Sequence, residues 1–409
     1  MEAGEQRAQR RGLSAAMREG ERVMPLELFF DLVFVLALTQ CTALMVHDHT
    51  MAGVGQGLLL LALLWWSWTG YAWLTSVLDP EEGGVRLALV ASMAGFLVAA
   101  LAVPHAFDDD SLIFALAYAA VRFAHIGLFY IASRDDPGLR RSITGFGVST
   151  TLLVVMMVVG AVIGGDAQIV IWSAALLFDL AEPYVFGSEG WKLVPGHFAE
   201  RHGLIVIVAL GESIVALGIG SEIGLSAVVV LAAVLGIALV FALWWLYFDV
   251  VMIANARRLA RAAPGAERNE MARDVYSYLH FFLVAGIELA AYGLHDVLAH
   301  PEEHLKFVPA FALLGGVAVY LLGHVAIRLR GAGTWSTRRL LVAALMLALI
   351  PLAEEISAVS SLGIAVAVLV GLIVYETRSY GDRRQQARQE FALEGPEGGT
   401  PTASDGPRA

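Results

Sequence analysis

Charged residues are scarce in this chain. Asp, Glu, Lys and Arg make up 16% of its 409 residues, whereas soluble globular domains carry about 25%. Hydrophobic residues reach 58% and the mean hydropathy is +0.68. This composition excludes an ordinary soluble protein and predicts that the chain lies in a lipid bilayer.

Cysteine and the common catalytic motifs are also missing. The single cysteine, Cys41, excludes an internal disulfide and any multi-cysteine metal site. The sequence contains no Walker A loop, no His-Glu-x-x-His, no Gly-x-Ser-x-Gly and no credible dinucleotide fingerprint. We therefore predict that the protein is not an enzyme and has no cofactor, no metal site and no nucleic-acid partner. A cleavable signal peptide is not expected either, because the first apolar run is too long and too acidic.

Long apolar runs are abundant, and they predict an all-α polytopic membrane protein with about twelve transmembrane helices. The predicted spans lie near residues 25–46, 57–78, 85–104, 111–133, 141–163, 168–187, 203–220, 225–250, 272–294, 307–328, 338–353 and 356–376. The eleventh span is short and is followed by a tight turn at Glu354–Glu355. The last two spans are therefore left open as two crossings or as a re-entrant pair.

The basic residues predict the orientation. Of the 27 Lys and Arg residues, 25 fall in the two tails or in the even-numbered loops. Lys306 lies in an odd-numbered loop and Arg122 within a span. By the positive-inside rule, we expect both termini to be cytoplasmic and the number of spans to be even.

The two halves of the chain resemble each other. Asp31 of span one and Glu212 of span seven are separated by almost the same interval as Trp65–Trp66 and Trp244–Trp245 of spans two and eight. This agreement predicts two parallel six-helix repeats, because six crossings return the chain to the same side. The predicted division is a cytoplasmic tail (1–24), a first repeat (25–187), a cytoplasmic linker (188–202), a second repeat (203–376) and a disordered cytoplasmic tail (377–409).

Four carboxylates within or at the edge of the spans are candidates for a substrate or ion path: Asp31, Glu212, Glu288 and Glu27. A charge at the bilayer centre costs roughly 2.5–3.5 kcal/mol on insertion scales, so such a residue usually faces protein or water and serves a function. The alternative for Glu212 is a protonated side chain that hydrogen-bonds across a helix pair. The alternative for Glu27 is a residue at the membrane interface.

A second set of polar residues is predicted to be structural. Arg122 is the one Lys or Arg residue within a predicted span, and we expect it to form an ion pair with Asp31. The competing partners are Asp179 and Glu182 of span six, which could instead lie at a solvated helix end. Two intramembrane histidines complete this set: His125 and His324.

Two segments resemble a known family. PLELFFDLVFVLALTQ (Pro25–Gln40) and ERHGLIVIVALGESIVALG (Glu200–Gly218) look like the hallmark segments of the bacterial low temperature requirement A (LtrA) family, in the same order and at the expected separation. The resemblance implies a polytopic inner-membrane protein from about residue 20 to 380. The family's cold-growth phenotype names no substrate.

A fainter resemblance links Phe30-Asp31 to the Arg-x-x-x-Phe-Ser-Asp signature of endolysosomal-type potassium channels, which have two six-helix repeats. This chain lacks the serine and has Leu26 where the signature has arginine. The equivalent position of span seven has Gly211-Glu212-Ser213 and no Phe-Asp pair. The departures weaken any inference about ion selectivity.

These observations favour a channel or secondary transporter for a small cation or small solute, using carboxylates of spans one and seven. One alternative is a non-transporting scaffold or stress-response protein. The other is a membrane enzyme with an acid and base drawn from Asp179, Glu182 and His202. The expected partners are the lipid bilayer and the transported species, and an oligomer is left open.

Overall fold

The computed structural model describes residues 22–134, 136–185, 191–220 and 226–394. Its helices are numbered here in chain order: α1 (Pro25–Asp48), α2 (Met51–Val77), α3 (Gly83–Ala102), α4 (Ser111–Ala132), α5 (Pro137–Ile163), α6 (Gly165–Val185), α7 (Pro195–Gly220), α8 (Ala227–Arg261), α9 (Ala266–Ala299), α10 (Phe307–Ala332), α11 (Thr337–Ala348) and α12 (Ala358–Glu394). Eleven of these described helices, all except α11, are long and apolar enough to span a membrane. The predicted all-α polytopic fold is confirmed.

The short helix α11 also traverses the bundle. After the further helical turn Ile350–Ala353, the amide of Ala358 donates to the carbonyl of Glu303 at 2.7 Å, in the loop that follows α9. At the opposite end, Arg339 of α11 pairs with Glu376 of α12 at 2.9 Å. Ala358 and Glu376 are separated by about 27 Å along the axis of α12. Segments α11 and α12 are therefore two passages through the bundle, not a re-entrant pair.

Three predicted boundaries differ from the structure. Helix α7 begins at Pro195, so Arg201 and His202 belong to a helix and not to the predicted linker 188–202. Helix α8 continues beyond a break near Val250 to Arg261. Helix α12 continues to Glu394, so the part of the predicted disordered tail before that residue is helical. The predicted N-terminal tail to residue 21 and the residues after 394 lie outside the described part of the chain.

Helices α1, α7 and α9 pack against one another in the centre of the molecule. In the first half α1 packs on α3 and α3 on α4, and in the second half α7 packs on α9 and α9 on α10. The two halves thus use the same order of neighbours. The pair of six-helix repeats stays a prediction that this packing order favours.

Helix α9 contains a π-helical segment, Ala272–Leu279, after an initial α-helical segment, Ala266–Met271. In a π-helix the backbone hydrogen bonds shift by one residue, which changes the carbonyls that are free to accept from outside the helix. The indole of Trp65 donates to the carbonyl oxygen of Ser277 at 2.7 Å, and that of Trp73 donates to its hydroxyl at 3.0 Å. The irregular segment therefore anchors α2 to α9.

Two glycines bring α9 and α10 into backbone contact. A Cβ atom at Gly286 would lie 2.6 Å from the backbone nitrogen of Tyr320 and 2.7 Å from the carbonyl oxygen of Gly316. A Cβ atom at Gly316 would lie 2.6 Å from the nitrogen of Ala290. Small residues at such a crossing allow close van der Waals packing, which contributes strongly to helix association in membranes.

We predict that Gly286→Ala lowers the free energy of unfolding by about 1–3 kcal/mol, because the added methyl group forces the two backbones apart. Gly211→Ala on α7 is the matched control, since a Cβ there meets no atom within 4 Å. Thermal unfolding of the purified protein in detergent measures both variants. Equal midpoints for the two variants would contradict the prediction.

Candidate functional site

Arg201 of α7 lies between two carboxylates of α1. Its Nη2 donates to Oδ1 of Asp31 at 3.1 Å and its Nη1 to Oε1 of Glu27 at 3.3 Å. Nη1 also donates to the hydroxyl of Thr75 on α2. The three charged side chains are at most 2% exposed. Together with His197 they form what we call the Arg201 cluster.

Neighbouring groups complete this cluster. Nε2 of His197 contacts Oε1 of Glu27 at 2.9 Å, and Nδ1 of His197 lies 3.2 Å from the hydroxyl of Ser76. The indole of Trp68 donates to Oδ1 of Asp31 at 2.8 Å. With a neutral His197, two carboxylates face one guanidinium and one negative charge remains. Protonation of His197 would neutralise this charge.

The predicted ion pair between Asp31 and Arg122 is wrong. Asp31 takes Arg201 as its partner, and Arg122 of α4 donates from Nη2 to Oδ1 of Asp179 on α6 at 2.8 Å. Asp179 was one of the two competing partners that the sequence offered for Arg122. Arg122 is also not the one basic residue within a spanning helix, because Arg201 is buried in α7.

The surroundings of Arg122 contain unpartnered polar atoms. Asp179 is fully buried and Glu182 is 6% exposed, so neither lies at a solvated helix end. Within the described residues, Nη1 and Nε of Arg122 and both ring nitrogens of His125 have no hydrogen-bond partner. A cavity of about 60 Å³ lies among Arg122, His125, Glu182 and Trp66. This volume accommodates about two water molecules at ~30 Å³ each, which could satisfy these atoms.

The other two predicted path residues lie together farther along α1. Oε2 of Glu212 on α7 lies 2.5 Å from the hydroxyl of Thr39, and Oε2 of Glu288 on α9 lies 2.7 Å from the hydroxyl of Thr42. Both acids are at most 2% exposed, and they are close enough to interact electrostatically. Neither forms an ion pair with any residue in the described ranges. We call Glu212, Glu288 and the two threonines the central carboxyl pair.

The hydrogen bonds of Thr39 bear on the protonation of Glu212. The Thr39 hydroxyl lies 3.1 Å from the carbonyl oxygen of Val35 as well as 2.5 Å from Glu212. One hydroxyl hydrogen cannot serve two acceptors fully. If Thr39 donates to Val35, a protonated Glu212 satisfies the short contact by donating to Thr39. The geometry thus suits a carboxyl group that holds a proton.

An apolar layer separates the Arg201 cluster from the central carboxyl pair. Asp31 and Thr39 are eight residues apart on α1, or about 12 Å. Phe34 and Leu38 fall between these two residues of α1, and Ile205 falls between Arg201 and Glu212 of α7; all three side chains are at most 1% exposed. The structure therefore brings the four predicted path residues into two separate groups, not one continuous row.

The remaining predicted histidine, His324 of α10, lies outside both groups. It is 2% exposed and lines a cavity of about 370 Å³ formed by α8, α10, α11 and α12.

The basic residues of this cavity and the role of Arg201 were not predicted from the sequence. The signal for Arg201 was the Pro195-Gly196 pair, since proline is favoured in the first turn of a helix and predicts an earlier start for α7. Within the described residues, no group of three or more His, Cys, Asp and Glu side chains could hold a metal ion.

The fold and these buried groups define a multi-pass α-helical membrane protein with ionisable side chains in its interior. The chain belongs to the family described as Bacterial low temperature requirement A protein (LtrA), whose pattern it matches over residues 22–374. This match confirms the family resemblance of the two hallmark segments. The chain is also similar to Uncharacterized protein RA0937 of Rhizobium meliloti (strain 1021), with 30% identity over 311 residues that cover 73% of this chain and 75% of the relative. No solved structure shows a significant match.

We predict that Arg201→Gln destabilises the protein by about 3–5 kcal/mol, because it leaves Glu27 and Asp31 buried without a countercharge. Adding Asp31→Asn to this variant should restore part of the loss. Arg330→Gln is the control, since Arg330 pairs with Asp274 but is 42% exposed, and a surface pair contributes about 0–1 kcal/mol. Thermal unfolding midpoints of all variants test the prediction. Equal effects of Arg201→Gln and Arg330→Gln would contradict it.

Proposed function

We propose that this protein is a secondary transporter of the bacterial inner membrane, with both termini in the cytoplasm. In this proposal Glu212 and Glu288 bind a proton or a monovalent cation whose movement is coupled to that of a small solute. The observation that carries the proposal is the central carboxyl pair, two buried acids with hydroxyl partners and no countercharge.

Electrostatics supports a cation-binding role for this pair. Two ionised carboxylates that are buried close together repel each other and lose their hydration, so at least one must take up a proton or a cation. Asp31 and Glu27 differ in this respect, because Arg201 already provides a positive charge. The Arg201 cluster is therefore the structural group in this proposal, and the central carboxyl pair is the binding site.

The apolar layer favours a transporter over an open channel. Phe34 and Leu38 lie between Asp31 and Thr39 on α1 and are buried, so passage of a hydrated ion would require the helices to move. Such movement around a buried site is the basis of alternating access. The distribution of basic residues supports an orientation in which both tails and the even-numbered loops face the cytoplasm. The lack of catalytic motifs in the sequence supports transport over catalysis.

We predict that Glu212→Gln and Glu288→Gln each reduce cation flux at least tenfold in proteoliposomes, because an amide cannot release a proton or balance a cation. The assay follows H⁺, Na⁺ and K⁺ under an imposed membrane potential, with pH- and cation-sensitive dyes inside the vesicles. Glu354→Gln is the control, because Glu354 lies exposed in the turn after α11.

A second measurement separates binding from flux. Infrared difference spectra of the wild type between acidic and alkaline pH should show a titrating carboxylic-acid band that decreases in both interior variants and persists in Glu354→Gln. Wild-type flux in Glu212→Gln and Glu288→Gln would refute the proposal. An unchanged infrared band in both would refute proton binding at this pair.

A further inference from the structure

The cavity of the second half has the dimensions of a ligand site. Its volume of about 370 Å³ falls within the range of about 300–1,000 Å³ that is usual for sites of small molecules. Its walls come from α8, α10, α11 and α12, and from the turn between α10 and α11. Neither the central carboxyl pair nor the two carboxylates of the Arg201 cluster line it.

Two arginines of this cavity have neutral partners. Nη1 of Arg258 donates to the side-chain oxygen of Asn255 at 3.3 Å, and Nε of Arg328 donates to the hydroxyl of Thr334 at 3.1 Å. The two positive charges are near enough to repel each other. Neither guanidinium forms an ion pair with a carboxylate in the described ranges. A bound anion would supply the countercharge that these two guanidinium groups lack within the described chain.

The other charges of the cavity do not cancel this excess. Arg339 is neutralised by Glu376, to which it donates from Nε at 3.0 Å and from Nη2 at 2.9 Å. Asp249 is the further carboxylate of the lining. Three arginines thus face two carboxylates, and the net charge of these side chains is positive.

The interior of the cavity offers hydrogen-bond donors. His324 is 2% exposed, and both of its ring nitrogens are unpartnered within the described chain. Nε1 of Trp245 and Nδ2 of Asn255 are likewise buried without an acceptor in the described ranges. Arg328 lies exposed one helical turn after His324, so charge lies toward the opening and the donors lie deeper. A ligand that fits must supply acceptors to these donors.

We infer that this cavity binds an oxyanion, the phosphate or carboxylate group of a small organic molecule or of a lipid headgroup. The guanidinium groups of Arg258 and Arg328 bind the anionic oxygens, since the planar fork of arginine suits both groups. His324 and Trp245 bind the remaining acceptors. The inference is independent of the proposed transport function, because it uses no residue of the central carboxyl pair.

Thermal unfolding in detergent tests this inference, with potassium phosphate and potassium succinate as soluble probes. Potassium chloride at equal ionic strength is the reference for each. Nanodiscs with and without phosphatidylglycerol test the lipid headgroup. We expect at least one of the three probes to raise the wild-type unfolding midpoint saturably, with an apparent affinity at least tenfold lower in Arg258→Gln and in Arg328→Gln.

Arg330→Gln is the matched control, because Arg330 lies on the same helix but pairs with Asp274 outside the cavity lining. Arg258→Lys retains the charge without the fork and should bind with intermediate affinity, which also covers the case in which Arg258→Gln fails to fold. A response to phosphate or succinate identifies a soluble ligand, and a response to phosphatidylglycerol alone identifies a headgroup. No saturable shift with any probe, or equal shifts in the wild type and both arginine variants, would overturn the inference.

Discussion

The guanidinium of Arg201 joins two parts of the chain that lie far apart in sequence. It sits between Glu27 and Asp31, which precede it by 174 and 170 residues. Charged groups in a low-dielectric interior are tolerated when they are paired and hydrogen-bonded, so the position of α7 against α1 is set by this contact. Thr75 adds α2 to the same group. The central arrangement of α1, α7 and α9 depends on it.

Five of the interior acids fall into two kinds. Asp31, Glu27 and Asp179 each have a guanidinium partner, whereas Glu212 and Glu288 have hydroxyl partners. Removing Asp179 leaves the buried Arg122 without its countercharge and is costly for stability, whereas Arg201 has a second carboxylate when one of its two partners is removed. Replacing a hydroxyl-bonded acid by its amide changes little in shape and hydrogen bonding, but it removes the capacity to bind a proton. In the proposed function, stability and ion binding therefore depend on different carboxylates.

Hydropathy and the count of basic residues were sufficient to predict the helical membrane fold, because long apolar runs determine it directly. They also located the buried acids, since a carboxylate in an apolar run is conspicuous. The partners were harder to predict. Arg201 lies two residues before the predicted start of span seven at residue 203, so it looked like part of a loop. The choice between Asp31 and Asp179 for Arg122 depends on helix rotation, which one sequence does not determine. The cavity lined by Arg258 and Arg328 draws its residues from four helices, so no local sequence pattern predicts it.

The Arg201 cluster also constrains the order of assembly in the cell. Glu27 and Asp31 are synthesised 170 or more residues before Arg201, an interval of roughly 10–30 s at about 5–20 residues per second. During that interval the guanidinium that pairs with the two acids of α1 in the folded protein does not yet exist. The native contact between α1 and α7 therefore forms only after α7 has been synthesised.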